Sequence, residues 1–229
     1  MNIWAIGDIH GEANKLKHLL FLLKEHHSLD LSKDKIIFLG DYVDRGKDSF
    51  RVLETIYTLQ EAFPDNIAAL AGNHELMMLE YHKTRCDWGL WHANGGKATE
   101  KSFYKHHGSK RCPGHLLKWL NNLPLSHEEP GFFFSHAPQF KDEQRTSNGA
   151  FTDDELTWTY HKKYVEYSRV FPHGMVGVCG HIHDLFNNNP HPRLYDNYIF
   201  TDAGCGCSKD APLCAIEVHT RQVVYSLGE

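Results

Sequence analysis

The chain has 229 residues, of which 41% are hydrophobic and 23% charged, and its formal net charge is −5. It is therefore long enough to bury a substantial core, and its acidity disfavours a protein that binds nucleic acid without regard to sequence. No apolar stretch reaches the roughly 18 residues of a membrane span and no signal-peptide pattern follows Met1, so we expect a cytoplasmic protein with neither a membrane nor a nucleic-acid partner.

Strands alternate with helices in the first third of the chain. Short runs rich in Ile, Val and Phe predict strands at Ile3–Ile6, Lys35–Leu39 and Ile67–Leu70. Apolar residues at helical spacing predict helices over Glu12–His27 and Ser49–Phe63. A third helix is expected to start at Glu75 and to carry Leu76 and Leu79 on its inner face. This alternation of strands and helices favours parallel strands.

Five further strands are predicted in the rest of the chain, at Gly131–Phe134, Met175–Cys179, Tyr198–Thr201, Leu213–Val218 and Val223–Leu227. Arg221 and Gln222 separate the last two, as in a hairpin, so mixed sheets are favoured over a purely parallel one. Residues 86–126 carry weaker signals, and we interpret them as a partly helical insertion over a functional site. We expect a single domain over residues 1–229, of class α/β (α+β).

Polar residues follow the predicted strands at the points where those strands end. The blocks are GDIHG with Asp8 and His10, GDYVDRG with Asp41, Asp44 and Arg45, GNHE with Asn73 and His74, SHAP with His136, and GHIH with His181 and His183. Because the carboxyl ends of parallel strands meet at one edge of a sheet, these side chains are expected to converge. The glycine before each ligand is expected to let the backbone turn and to leave room for an ion.

The donor atoms of these blocks predict a pair of metal ions. They combine carboxylate oxygen, amide oxygen and imidazole nitrogen, which suits Mn²⁺, Fe²⁺ or Zn²⁺ and differs from a thiolate site. Six ligands are too many for one catalytic ion with open positions, but they fit two ions that share Asp41. Two ions roughly 3.5–4 Å apart can activate a water as hydroxide and clamp an in-line phosphoryl transfer. We therefore expect two divalent ions, with Mn²⁺ first and Fe or Zn as alternatives.

Three further residues complete the predicted chemistry. The Arg45 guanidinium presents a planar fork that matches two phosphate oxygens. His74 directly follows a predicted ligand, so it should lie at the rim and be able to protonate a leaving oxygen. The Asp44 carboxylate would orient that ring and raise its pKa.

Each of these residues has an ordinary structural role when it is considered alone. Asp8 or Asp41 would cap a helix, Asn73 would belong to a turn, and Arg45 would form a surface ion pair. These alternatives are independent of one another, whereas a metal site explains all the blocks together. A soft-metal role for the CGC sequence at residues 205–207 stays open.

The order and spacing of GDIHG, GDYVDRG and GNHE resemble the signature of the phosphoprotein phosphatases, which belong to the calcineurin-like metallophosphoesterases. The SHAP, GHIH and TDAGC blocks and the NGGKAT stretch at Asn94–Thr99 also resemble this family, in particular its bacterial and phage-type members. The resemblance covers nearly the whole chain. It implies a four-layer sandwich in which two mixed β-sheets are flanked by helices.

The resemblance also implies a role for each matching residue. One ion would be held by Asp8, His10 and Asp41, and the other by Asp41, Asn73, His136 and His181. His74 with Asp44 would donate the proton, and Arg45 would bind phosphate. His183 matches a ligand of the first ion in the wider superfamily, but this position is often not His in protein phosphatases, so its role stays open.

Two departures from the family pattern leave the substrate open. Protein phosphatases of this family usually have Arg directly before GNHE, where this chain has Ala71. Phage-like members carry Arg soon after the position of Trp158, and this chain does not. The candidates to replace the missing arginines are Arg85, Arg145 and Arg169.

Three functions follow from this pattern. We expect a phosphatase acting on phosphoserine or phosphothreonine in proteins, with phosphotyrosine and small phosphoesters as further substrates. The alternative is a bis(5'-nucleosyl)-tetraphosphatase, which also lacks Arg before GNH, with Trp88, Trp91 or Tyr104 stacked on adenine. A metal-bound scaffold without activity is disfavoured because every predicted ligand is present.

Overall fold

Two five-stranded sheets form the centre of the fold in the computed structural model, which describes residues 1–84, 89–138, 156–158 and 174–228. In chain order the strands are β1 (Ile3–Ile6), β2 (Lys35–Phe38), β3 (Ile67–Ala69), β4 (Ser126–Glu129), β5 (Phe132–Ser135), β6 (Val176–Cys179), β7 (Arg193–Tyr195), β8 (Tyr198–Phe200), β9 (Leu213–Glu217) and β10 (Val223–Ser226). The first sheet has the order β10-β9-β1-β2-β3 and the second the order β4-β5-β6-β8-β7. Both sheets mix parallel and antiparallel pairs, which confirms the predicted fold class.

Parallel pairing brings the ends of the site-bearing strands to one edge of each sheet. β1 is parallel to β2, and β2 to β3, with Ile6 opposite Phe38 and Phe38 opposite Ala69. In the second sheet β5 is parallel to β6, with Ser135 opposite Cys179. The loops that follow these strands therefore start side by side.

Helices flank the first sheet on its outer face. The described helices are α1 (Ala13–His26), α2 (Ser49–Ala62), α3 (Asn73–Thr84), α4 (Leu90–Ala93), α5 (Gly96–His107) and α6 (Gly114–Leu120). Leucines at helical spacing in α1, among them Leu16 and Leu19, and the Leu53–Ile56 pair in α2 are buried against that face. Within the described ranges, no helix has both the length and the apolarity needed to span a bilayer.

The inner faces of the two sheets pack against each other in an apolar core. Ile37 of β2 and Leu39, which directly follows that strand, lie in one cluster with Phe134 and Val178 of the second sheet, and all four side chains are fully buried. Burial of each such side chain stabilises the fold by about 1.5–3 kcal/mol. On the outer face of the second sheet, Leu156 packs in a smaller cluster with Phe133 and Phe200. This core fixes the two sheets relative to each other, and with them the loops that carry the site.

All eight predicted strands are present, and their bounds shift by at most one residue. β4 and β7 were not predicted; β4 is polar and β7 has three residues, and both lie at the edges of the second sheet. At an edge, pairing with a neighbour rather than an apolar pattern decides that a segment is a strand.

The third helix agrees with its prediction only in part. α3 starts at Asn73 instead of Glu75, and its buried apolar residues are Met77 and Met78. Leu76 and Leu79 are half-buried, and Leu79 packs against the core as predicted. α3 packs against α4 and also against α6, so its buried positions do not follow a single stripe.

Residues 89–126 contain α4, α5 and α6, which agrees with the partly helical character predicted for this segment. α5 and α6 pack on α2, and α4 packs on α3. That this segment is an insertion within a single domain stays a prediction, and residues 86–88 lie outside the described chain.

Candidate metal centre

The loops at the strand ends bring the predicted ligands together. Asp8 and His10 follow β1, Asp41 follows β2, Asn73 follows β3, His136 follows β5 and His181 follows β6. The first five are almost completely buried, and His181 is half-buried. His181 N donates to Asp8 Oδ1 over 2.9 Å, and His136 Nδ1 donates to Leu39 O over 2.8 Å. These two bonds join the second sheet to the first at the site.

The backbone of these loops is unusual at the predicted site residues. Left-handed φ values occur at His10 (44°), Asp41 (54°), Asp44 (74°), Arg45 (63°) and His181 (64°). Such conformations are unfavourable for residues other than glycine, and they persist only where the surrounding structure enforces them. The fold therefore holds these side chains in positions that an ordinary loop would not adopt.

Glu75 is a main support of the loop after β2. Its Oε2 accepts the N–H groups of Asp41 (2.7 Å) and Gly72 (2.9 Å), and its Oε1 accepts those of Tyr42 (2.8 Å) and Val43 (3.2 Å). Burial and the nearby Asp41 charge raise the pKa of Glu75 to about 7, although four N–H donors favour the ionised form. Glu75 therefore ties the start of α3 to the loop that carries Asp41.

Gly72 serves the site in a different way from the one that was predicted. A Cβ atom at this position would overlap the carboxylate of Asp41. The missing side chain therefore makes room for a ligand side chain and not for an ion. Gly40, with φ of 98°, provides the predicted sharp turn before Asp41.

A first group of donor atoms surrounds His10. Its Nε2 lies 3.6 Å from Asp41 Oδ2 and 3.8 Å from Asp8 Oδ2. Its Nδ1 donates to Val43 O over 2.9 Å, so the Nε2 lone pair faces the carboxylates. The atoms of His10, Asp41 and His74 lie within 4.8 Å of one another, so His74 is closer to this group than was predicted.

A second group shares Asp41. Ligand atoms of Asp41, His136 and His181 lie within 4.8 Å of one another. His136 Nε2 is 3.4 Å from Asp41 Oδ1, 2.9 Å from Asn73 Oδ1 and 3.2 Å from His181 Nδ1. Asp41 thus contacts donors on both sides, as a shared ligand must.

His183 lies outside both groups of described donors. It is half-buried, its Nδ1 accepts from Leu185 N over 3.4 Å, and its ring stacks on Phe186. Its imidazole does affect the carboxyl of Asp202, whose pKa it lowers against the effect of burial. The structure therefore places His183 at the edge of the site.

The electrostatics of the cluster fit divalent cations. Burial, reinforced by the charges of Asp202 and Asp41, raises the pKa of Asp8 well above its usual range. Burial opposes the charge on His136, yet the carboxylates of Asp41 and Asp8 raise its pKa to about 10. Burial and His136 together lower the pKa of His181 to about 3. Crowded carboxylates that hold a proton on one imidazole, beside neutral imidazoles, form a donor set that divalent ions satisfy.

His74 and Asp44, which were predicted to act as a proton donor pair, are in contact. His74 Nδ1 and Asp44 Oδ2 are 2.7 Å apart, and both residues are buried. Asp44 is held by Trp91 Nε1, 3.0 Å from each carboxylate oxygen, and by Thr99 Oγ1 at 2.7 Å. Burial raises the pKa of Asp44, while the contacts with His74, Thr99 and Trp91 lower it. Trp91 is thus fully buried as a support of Asp44, which removes it from the three aromatic residues considered for stacking on adenine; Tyr104 is exposed.

Arg45 is exposed and points its guanidinium at the centre. Nη1 donates to His10 Nε2 over 2.7 Å and Nη2 to His74 Nε2 over 3.2 Å. Nη1 also lies 2.9 Å from Cys207 Sγ. The lone pair of His10 Nε2 can accept from Arg45 or bind a metal ion, but it cannot do both. A metal ion on His10 Nε2 would therefore require Arg45 to turn away, and its exposed side chain has room to do so.

The sequence analysis did not identify every residue that shapes the centre. Glu75 ends the GNHE block, Thr99 ends NGGKAT, and Asp202 lies in TDAGC, so the signal was the same set of blocks. Cys207 had been considered only as a soft-metal ligand, and it contacts Arg45 instead. The proposed replacements for the missing arginines, Arg85, Arg145 and Arg169, lie outside the described residues, as does Trp88.

Comparison with known proteins adds an independent finding. A family model for calcineurin-like phosphoesterases matches residues 1–185. The chain is 25% identical over 230 residues to the symmetrical bis(5'-nucleosyl)-tetraphosphatase of Buchnera aphidicola subsp. Baizongia pistaciae. This alignment covers 96% of the chain and 68% of that relative. It is 39% identical over 95 residues to serine/threonine-protein phosphatase 2 of Escherichia coli, which covers 42% of the chain and only 38% of that relative.

Solved structures share the fold. A protein serine/threonine phosphatase from Saccharomyces cerevisiae superposes with a TM-score of 0.64 at 17% identity, over 95% of the chain and 73% of that structure. A candidate diadenosine tetraphosphatase superposes with a TM-score of 0.65 at 19% identity, over 100% of the chain and 94% of that structure. At these identities the two superpositions show a common architecture.

The role of Glu75 can be tested through stability. In Glu75→Gln the amide group faces N–H donors, so at least two buried N–H groups lose their acceptor, at about 1–3 kcal/mol each. We expect the free energy of unfolding in urea to fall by about 2–6 kcal/mol. Glu80→Gln, an exposed position on the same helix, is the control and should change little. Equal stability of the two variants would contradict the role of Glu75.

The shared position of Asp41 can be tested through metal content. In Asp41→Asn both donor groups lose a charged ligand, so we expect the number of Mn²⁺ ions bound per chain, measured by calorimetry, to fall below that of the unsubstituted protein. Asp65→Asn, at an exposed position, should bind as before. Full binding by the Asp41 variant would exclude Asp41 as a shared ligand.

Proposed function

The chain belongs to the calcineurin-like phosphoesterase family of hydrolases, and from this premise we propose that it cleaves phosphoric esters with the help of two divalent metal ions. The observation that carries the proposal is the His74–Asp44 pair, with its 2.7 Å contact, at the donor group of His10 and Asp41 and beside Arg45. A proton donor, a phosphate-binding cation and a metal-binding cluster are what phosphoryl transfer to water requires.

The proposed ligands follow from the two donor groups. Asp8, His10 and Asp41 hold one ion, and Asp41, Asn73, His136 and His181 hold the other. The carboxylates and imidazoles make Mn²⁺ the first candidate, with Fe²⁺ and Zn²⁺ as alternatives. When bound, such ions neutralise phosphoryl oxygens and lower the pKa of a water.

His74 is the proposed general acid. Its Nδ1–H donates to Asp44, which leaves Nε2 facing the centre; in the imidazolium form Nε2 carries a second proton that can pass to a leaving oxygen once Arg45 binds phosphate instead of Nε2. Asp44 keeps the ring in place, and Trp91 and Thr99 keep Asp44 in place. Arg45 binds the phosphate through the two guanidinium nitrogens that now contact His10 and His74.

A dinucleoside polyphosphate is the substrate class that we favour. The match with the tetraphosphatase of Buchnera covers 96% of this chain and 68% of that relative. Ala71 stands where a second phosphate-binding arginine would precede GNHE, and it is buried. Among the described arginines, Arg45 alone contacts the predicted ligands, so the described part of the site offers one guanidinium to an isolated dianion.

A phosphorylated protein is the second candidate, which the sequence analysis had placed first. The serine/threonine phosphatase of Escherichia coli is more similar to the chain, at 39% identity, but over 95 residues only. The exposure of Arg45 at the rim would also allow a side chain of another protein to enter. Small phosphoesters would be cleaved in either case.

The role of His74 gives the first test. His74→Asn removes the proton donor, so kcat should fall on the order of 10²- to 10⁴-fold while the metal content stays unchanged. His107→Asn, an exposed position, should match the unsubstituted enzyme. Loss of metal from the His74 variant would instead make His74 a ligand, and an unchanged rate would remove it from the mechanism.

A substrate panel with Mn²⁺ gives the second test. We expect diadenosine tetraphosphate to exceed both a phosphoserine peptide and p-nitrophenyl phosphate by more than about tenfold in kcat/KM, because it brings further phosphates and two bases as binding groups. The reverse preference, for the phosphopeptide, would favour the second candidate. Inactivity on all three substrates would contradict the hydrolase proposal.

A further inference from the structure

A basic groove of about 830 Å³ opens beside the centre. Six cationic side chains line it: the buried Lys15 and the exposed Arg45, Lys47, Arg51, Lys105 and Lys209. The acidic residues that line it are Glu12 and Asp48. A surplus of positive charge in one groove stands out in a chain whose net charge is −5.

The positive charge of the basic groove is only partly neutralised. Asp48 lies 3.7 Å from both Arg51 Nε and Lys105 Nζ, and it contacts His106 over 2.8 Å. Lys47 and Lys209 have no carboxylate partner among the described residues, and both are exposed to the groove. These two ammonium groups are therefore available to an anionic ligand.

A buried ammonium group in the wall of the basic groove adds to its positive potential. Lys15 is only 5% exposed, and its Nζ donates to the carbonyl oxygens of Ala211 (2.8 Å) and Lys209 (3.3 Å). Carbonyl groups satisfy its hydrogen bonds but do not cancel its charge. α1 begins at Ala13, in the same wall, and no side chain caps its first N–H groups. The start of this helix contributes a further partial positive charge.

The basic groove leads directly to the reacting centre. Arg45 lines it and contacts His10 at 2.7 Å. Cys207 lines it as well and contacts Arg45 at 2.9 Å. An anion bound along Lys47 and Lys209 would therefore be continuous with a phosphate held at Arg45.

We propose that the basic groove binds the phosphates of a nucleoside polyphosphate that lie beyond the phosphate under attack. This inference rests on the proposed function and makes its substrate class more specific. Each additional linked phosphate gains charge-assisted contacts with Lys47 and Lys209, whereas a monoester reaches only Arg45. The basic groove thus favours polyphosphates over monoesters without any change in the chemistry at His74.

The test uses the full chain loaded with Mn²⁺ and the double variant Lys47→Ala, Lys209→Ala. The inhibition constant of inorganic tripolyphosphate should rise about tenfold, with a much smaller change for inorganic phosphate, since two ammonium contacts are removed. The KM for diadenosine tetraphosphate should rise by a similar factor, while kcat/KM for p-nitrophenyl phosphate stays within about twofold. Higher salt should reduce the difference between variant and unsubstituted enzyme.

A double variant at exposed lysines elsewhere, Lys110→Ala with Lys118→Ala, is the control for loss of charge alone. An unchanged tripolyphosphate constant, or an equal loss with tripolyphosphate and phosphate, would overturn the proposal. A fall in kcat/KM for a phosphoserine peptide alone would also overturn the proposal and would indicate that the groove binds an acidic protein. The unsubstituted enzyme could fail to cleave the dinucleotide while tripolyphosphate binding still depends on the two lysines. That result would reject the dinucleotide as substrate but would support the basic groove as a polyphosphate site.

Discussion

Four backbone N–H groups share the carboxylate of Glu75, and the geometry of the centre depends on that interaction. It ties the start of α3 to the loop after β2, so Asp41 and Asn73 are held at a fixed separation. It also supports the left-handed backbone at Asp41, which would be unfavourable in a loop without such bonds. Because the loop is fixed, the Asp41 carboxylate can lie between two groups of imidazoles, and the overlap avoided at Gly72 gives it the space.

The same packing buries several carboxyl groups close together, where bound cations would stabilise their charged forms. Asp8, Asp41 and Asp202 are buried close together, and imidazoles with opposite pKa shifts surround them. Arg45 supplies part of the required positive charge, and the nearby carboxylates raise the pKa of His136 to about 10. Two divalent ions would supply it more completely, and Arg45 would then be available for phosphate. The basic groove extends the positive potential outward from the centre. This potential favours a substrate with several linked phosphates.

Much of the site could be predicted because its ligands lie in short blocks at strand ends. Parallel strands must end together, so Asp8, Asp41 and Asn73 could be brought into one place from sequence order alone. The supports could not be predicted in the same way. That Trp91 holds Asp44 depends on how α4 packs on α3, which no local pattern encodes. The edge strands were missed for a similar reason, since their pairing partners and not their own residues determine them.

The central claim is that two metal ions share the carboxylate of Asp41. Anomalous scattering from crystals of the protein grown with Mn²⁺ tests it most directly, because it locates each ion. The account predicts two peaks, one among Asp8, His10 and Asp41 and the other among Asp41, Asn73, His136 and His181. A single peak, or two peaks that do not both contact Asp41, would contradict it.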